Sequence, residues 1–206
     1  MDCYHVPCLS ELAFFRKECI IKRSRFLVSL GHAAGANAAK RFIDSIRQEF
    51  PDASHNCWAF VAGAPGDTAS IGYSDDGEPH GTAGRPMLTI LLHSGIGEIA
   101  AVITRYFGGI KLGTGGLVRA YQDMIRLGLE ELPLRMHRTT QALEVTIHYQ
   151  HVTPLRRLLS SRHTEISREV FTDTVTYEIQ VPIDDIDNIK QAILEVTEGA
   201  SSFKKV

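Results

Sequence analysis

Five glycines fall between Gly108 and Gly116, in the run Arg105–Tyr106–Phe107–Gly108–Gly109–Ile110–Lys111–Leu112–Gly113–Thr114–Gly115–Gly116–Leu117. Backbone without a Cβ reaches left-handed angles and allows close approach, so such a run punctuates regular elements rather than extending one. Before it, Ile99 to Phe107 reads as a central strand. Ala101, Ile103 and Arg105 share one alternating phase of that strand, and Val102, Thr104 and Tyr106 share the other. After it, Leu117, Val118, Tyr121, Ile125 and Leu129 recur at helical spacing until Pro133. A strand, a glycine bend and a helix start together make an anion-binding arrangement, because the first amides of a helix have no intrahelical partner.

Thr114 is expected to cap this helix through its hydroxyl. Arg105, Lys111 and Arg119 add positive charge. The candidate anion-binding residues are Arg105, Gly108, Gly109, Lys111, Thr114, Gly115, Gly116 and Arg119. The competing reading is a structural turn whose charges are paired internally. The run lacks the GxxxxGK followed by Ser or Thr of a phosphate-binding P-loop. It also lacks the acidic ribose partner of a dinucleotide site.

The surrounding sequence supplies the rest of an N-terminal domain. Phe14–Lys22 and Arg25–Leu30 read as two strands joined by a tight basic turn. Ala39, Phe42, Ile43 and Ile46 mark a helix that stops before Pro51. Cys57, Ala59 and Val61 alternate with Trp58 and Phe60 in a buried strand, and a shorter strand includes Ile71 and Tyr73. Pro86 can begin the next helix, because its missing backbone donor costs little there, with Met87, Leu88, Leu91 and Leu92 on the apolar surface.

Around residues 135–138 the chain can switch domains. Beyond that point the order is regular. A strand over Ala142–His148 precedes a helix marked by Leu155, Leu158 and Leu159. Ile166–Phe171 and Val175–Val181 form a hairpin. A second helix follows with Ile186, Ile189, Ile193 and Val196, and Ser201–Val206 supplies a last strand. This β-α-β-β-α-β order predicts a ferredoxin-like split sandwich. The chain is therefore expected to be α+β, with domains over 1–136 and 137–206.

A second polar feature is the turn SDDGEPHGTAG over Ser74–Gly84. Asp75, Asp76, Glu78 and His80 form a candidate polar site, and their oxygen and nitrogen donors suit a ligand or a divalent metal. Glycine and proline favour a plainer role, in which the carboxylates cap the following helix or pair with an arginine. Cys57 and His55 share one strand face. Cys57 is thus either an embedded thiol or a nucleophile activated by a histidine. Glu98 is placed near Arg105 and the glycine loop. Neither HExxH nor DxDxDG is present, so no metal site is assigned and no cofactor is expected.

Composition limits the function classes. The 206 residues carry 22 basic and 24 acidic groups, a formal net charge of -2. That balance argues against a generally polycationic nucleic-acid binder, while leaving room for a local basic patch. The N-terminus has no secretory signal, and no apolar run is long enough to span a bilayer. A cytoplasmic location and no membrane partner are expected. Cys3, Cys8, Cys19 and Cys57 lack the spacing of a zinc ribbon or a disulfide framework.

The central residues resemble the IMPACT/YigZ protein family, in its bacterial form. Gly84, Met87–Leu88, Leu91, Ile96, Val102–Ile103, Arg105–Gly109 and Leu112–Gly113 carry the resemblance, with SDDGEPHGTAG before them. It implies an N-terminal domain like the second domain of ribosomal protein S5, and a ferredoxin-like domain resembling a module of elongation factor G. Eukaryotic relatives regulate translation during amino-acid starvation by occupying a kinase activator. They carry a further interaction module that this sequence does not show, so that pathway is not carried over.

The leading functional expectation is a noncatalytic translation regulator whose partner is the ribosome, RNA or a regulatory protein. One alternative is a small-molecule enzyme handling a phosphate-containing ligand, with Asp76, Glu78 or His80 moving protons. Another is a protein-interaction scaffold that uses no nucleic acid.

Overall fold

The computed structural model describes residues 3–162 and 164–205. It divides into two compact units, with the boundary between His137 and Arg138.

In the first unit, β1 (Cys3–Pro7) precedes a hairpin of β2 (Phe15–Ile21) and β3 (Ser24–His32). Helix α1 (Ala36–Glu49) follows, then β4 (His55–Val61), β5 (Ile71–Ser74), α2 (Gly84–Leu92) and β6 (Ile99–Tyr106). Helix α3 (Thr114–Glu130) and β7 (Leu134–Arg138) complete it. The five-stranded sheet runs β2-β3-β6-β4-β5, and its pairings are antiparallel. The strand read as central from its sequence is thus the middle strand.

Both phases of β6 are buried, because the sheet is covered on both faces. Ala101 and Ile103 join Phe26, Val28, Cys57 and Ala59 against α2 and α3. Ala100 and Val102 join Phe60 against Ala39, Phe42, Ile43 and Ile46 of α1. Since side chains alternate along a strand, Arg105 follows Ala101 and Ile103 toward the α2 and α3 side. A charged residue is thereby carried into an apolar layer, where it needs a partner.

The stretch 135–138 is not a bare switch. It lies within β7, which pairs with β1 in a two-stranded sheet. The sequence reading missed β1, a five-residue segment with little periodicity.

The second unit contains β8 (Thr140–Ile147), α4 (Val152–Ser161), β9 (Glu165–Phe171), β10 (Val175–Pro182), α5 (Ile186–Val196) and β11 (Ser201–Lys205). Its four-stranded sheet runs β11-β8-β10-β9, all antiparallel. Alternating Val175, Tyr177, Ile179 and Val181 pack with Leu155, Leu159, Ile189 and Ile193. Val206, expected in the last strand, lies outside the described residues. The chain is an α+β protein, and among the described residues no helix is long and apolar enough to cross a membrane.

Candidate functional site

The glycine run packs where it does because of one close approach. A Cβ on Gly108 would lie 1.9 Å from the Arg23 carbonyl oxygen. Arg23 belongs to the two-residue turn of the β2–β3 hairpin, where Lys22 and Arg23 both have positive φ. Only glycine lets the loop lie against that turn. The Gly108 amide donates to Ser24 Oγ at 3.2 Å, so it is spent inside the fold.

Gly113 then starts α3 with φ 76, an angle that favours glycine. The expected Thr114 cap does not form. Gly113 is the N-cap residue, Thr114 is the first helical residue, and no side chain caps the helix. The Leu117 amide bonds back to the Gly113 carbonyl at 2.9 Å. The amides of Thr114, Gly115 and Gly116 are those a helix start leaves without intrahelical partners.

A cavity of about 360 Å³ opens at this point. His55, Glu78, Pro79, Arg105, Phe107 and Lys111 line it, together with Leu112, Gly113, Thr114 and Leu117. The structure therefore brings Arg105, Lys111 and Thr114 of the glycine-run candidates together with Glu78 of the acidic turn. Arg119 is exposed and does not line the cavity. Gly109, Gly115 and Gly116 are not among its lining residues either.

Arg105 is buried at 5% exposure. It donates from one terminal nitrogen to Glu78, which is itself buried, and from the other to Ser24 Oγ at 3.3 Å. Its Nε has no partner. Tyr121 donates to Glu78 Oε1 at 2.8 Å, and Cys57 Sγ lies 3.3 Å from the Tyr121 oxygen. Burial pushes the Tyr121 phenol far above its ordinary value, and the neighbouring Cys57 and Glu78 add to that. These groups form a connected layer beneath the cavity.

His55 stands beside it. Its Nδ1 lies 2.8 Å from the Asp76 carbonyl oxygen and so must carry a proton to make that bond. Its Nε2 is left 3.9 Å from Glu78 Oε2. The ring lies at the cavity wall.

The rest of the acidic turn serves the fold. Asp75 accepts from the amides of Gly81, Ala83 and Gly84 at 2.8, 3.1 and 2.8 Å, which caps α2 from outside the helix. Asp76 accepts from the Asn56 amide at 2.6 Å and pairs with Arg47 at 3.4 Å. His80 is fully exposed. The proton-transfer roles considered for Asp76, Glu78 and His80 are not favoured: Asp76 is committed to backbone, Glu78 to Arg105 and Tyr121, and His80 points to solvent. Among the described residues no group of His, Cys, Asp and Glu is placed to hold a metal ion.

Cys57 is fully buried and lies 2.9 Å from the Asp75 carbonyl oxygen. Burial pushes its thiol far up; the Tyr121 hydrogen bond opposes this, while Glu78, Asp76 and Asp75 reinforce it. A group held so firmly as a thiol is embedded rather than nucleophilic.

Glu98 corrects a further expectation. It is remote from Arg105 and instead accepts from Tyr4 at 3.0 Å, with His32 at 2.7 Å and His137 at 3.8 Å. Its turn position, at φ 50, aims it toward β1 and β7. The sequence reading also missed Phe107, Leu112 and Pro79 as cavity wall. An aromatic directly before the glycine pair was the available signal for Phe107.

Two family models match the chain. The Impact N-terminal domain matches residues 22–129, and a domain of unknown function (DUF1949) matches residues 145–200. The chain is 42% identical over 182 residues to the IMPACT family member YigZ of Escherichia coli, covering 87% of this chain and 88% of that protein. An IMPACT family member of Haemophilus influenzae is 40% identical over 198 residues, covering 95% and 93%. YvyE of Bacillus subtilis is 32% identical over 188 residues, covering 91% and 86%. A crystal structure described as a hypothetical protein superposes with a TM-score of 0.77 at 37% identity, over 100% of this chain and 98% of that one.

Proposed function

The chain belongs to the IMPACT family, and from that membership we propose that it is a noncatalytic translation regulator that binds RNA of the ribosome through the cavity at the start of α3. The observation that carries the reading is the uncapped α3 start beside exposed Lys111, with a buried arginine beneath. Free amides and a positive helix end favour a phosphate oxygen there. Arg105 contributes less charge than the sequence suggested, because Glu78 neutralises it.

The finer fold assignment supports the same reading. On it, the first unit is like the second domain of ribosomal protein S5. The second unit is ferredoxin-like and similar to a module of elongation factor G. Its β-α-β-β-α-β order and β11-β8-β10-β9 sheet support that comparison. Fold alone does not carry function, so the assignment rests on the cavity.

Cosedimentation with ribosomes at graded salt tests the proposal. Association should weaken as salt rises, because phosphate contacts release counterions, and Lys111→Gln should weaken it further. If neither ribosomes nor RNA associate with the full chain at low salt, the proposal fails.

A further inference from the structure

The cavity has more in it than a phosphate needs. Its volume of about 360 Å³ is that of a small-molecule site. Its polar lining includes Lys111 and, at the start of α3, Thr114. Its apolar lining is Pro79, Phe107, Leu112 and Leu117. Phe107 is 49% exposed, so its ring is not consumed by the core. His55 and nine-tenths-buried Arg105 complete the lining, the Arg105 Nε being enclosed within the protein.

Anion recognition and an exposed aromatic ring in one cavity describe a ligand with a phosphate and a ring. An extended polyanion would need a track of cations, and this chain has a net charge of -2. The site therefore suits one unit held in a cavity rather than a duplex laid across a face.

We infer that this cavity takes a single nucleoside monophosphate unit, free or at the end of an RNA strand, with its phosphate at Lys111 and the α3 start and its base on Phe107. This rests on the anion-binding reading of the same site. Aromatic side chains accept any base by stacking, so the site discriminates nucleotide from phosphate rather than one base from another.

Calorimetric titration of the full chain with adenosine monophosphate, uridine monophosphate, adenosine and inorganic phosphate tests it. Both nucleotides should bind about 10-fold more tightly than adenosine or phosphate alone. Lys111→Gln should weaken both by about 10-fold, and Phe107→Ala should weaken the nucleotides while leaving phosphate unchanged. Phe107 is exposed, and circular dichroism of the variant checks its fold. Phosphate binding as tight as nucleotide binding overturns the inference, as does no nucleotide binding. RNA binding that neither nucleotide competes away overturns it and leaves the RNA proposal standing. Nucleotide binding without ribosome or RNA association supports the inference and removes the RNA proposal. Competition of a 5′-phosphorylated against a 3′-phosphorylated oligonucleotide then separates a strand end from a free nucleotide.

Discussion

The Arg105 guanidinium is held by the Glu78 carboxylate across 27 residues of sequence, with both side chains inside the protein. The pair ties the C-terminal end of strand β6 to the acidic turn before α2 and so closes the bottom of the cavity. Removing one partner strands the other charge in an apolar layer. Glu78→Ala and Arg105→Ala should each cost about 3–5 kcal/mol in urea denaturation. The double variant should cost clearly less than the two added together, since the second change removes a charge already stranded. Additive losses would show that the two side chains do not depend on each other.

Two glycines in the same run should respond oppositely to alanine. Gly108→Ala places a methyl group against the Arg23 backbone and should destabilise by at least about 2 kcal/mol. A Cβ at Gly115 meets nothing within 4 Å, and alanine favours helix there, so Gly115→Ala should be neutral or stabilising by up to about 1 kcal/mol. Thermal unfolding of the two single variants compares them. Equal losses would contradict the placement of the loop on the hairpin turn.

The Asp75 carboxyl sits below its ordinary value. Burial pushes it up, but the amides of Gly81, Gly84 and Ala83, together with the His80 charge, outweigh that. Its folded value is lower than its unfolded one, so the stabilisation is complete above about pH 3.9 and is lost as pH falls through the folded value. Asp75→Asn should cost about 1–2 kcal/mol at neutral pH and progressively less in acid. Parallel stability curves for the two proteins across that range would argue against the capping role.

Cys57 should be silent in the native state. Cys3 and Cys8 are exposed and Cys19 is half-buried, whereas Cys57 is sealed under α3. A disulfide-exchange reagent should titrate three thiols in the folded protein and the fourth only after denaturation. Rapid modification of Cys57, mapped by mass spectrometry, would reopen a nucleophilic role.

Much of the fold could be read from periodicity. Ala39, Phe42, Ile43 and Ile46 of α1 all face the core as their spacing required, and β6 ran to the sheet centre with Arg105 in the phase of Ile103. What failed was long-range. Nothing near Glu98 in sequence announces Tyr4, His32 and His137, which arrive from three other elements. The weak β1 segment gave no pattern because it pairs at the edge with β7 rather than in the main sheet.

The site was legible in its parts and not in its assembly. The glycine run and the acidic turn were both visible, but the bond between Arg105 and Glu78 that joins them was not. That bond reassigns charge. It turns Arg105 from an open cation into a neutralised floor, with Lys111 at the cavity wall. The exposed Arg119 lies on a part of α3 that does not border the cavity.

Amide chemical shifts of Thr114, Gly115 and Gly116, followed by nuclear magnetic resonance while adenosine monophosphate is titrated into the full chain, test the anion-binding claim at its source. Saturable shifts at these three amides, suppressed in Lys111→Gln, are the predicted result. Amides that stay still at millimolar nucleotide, or shift only at sites away from α3, would contradict it.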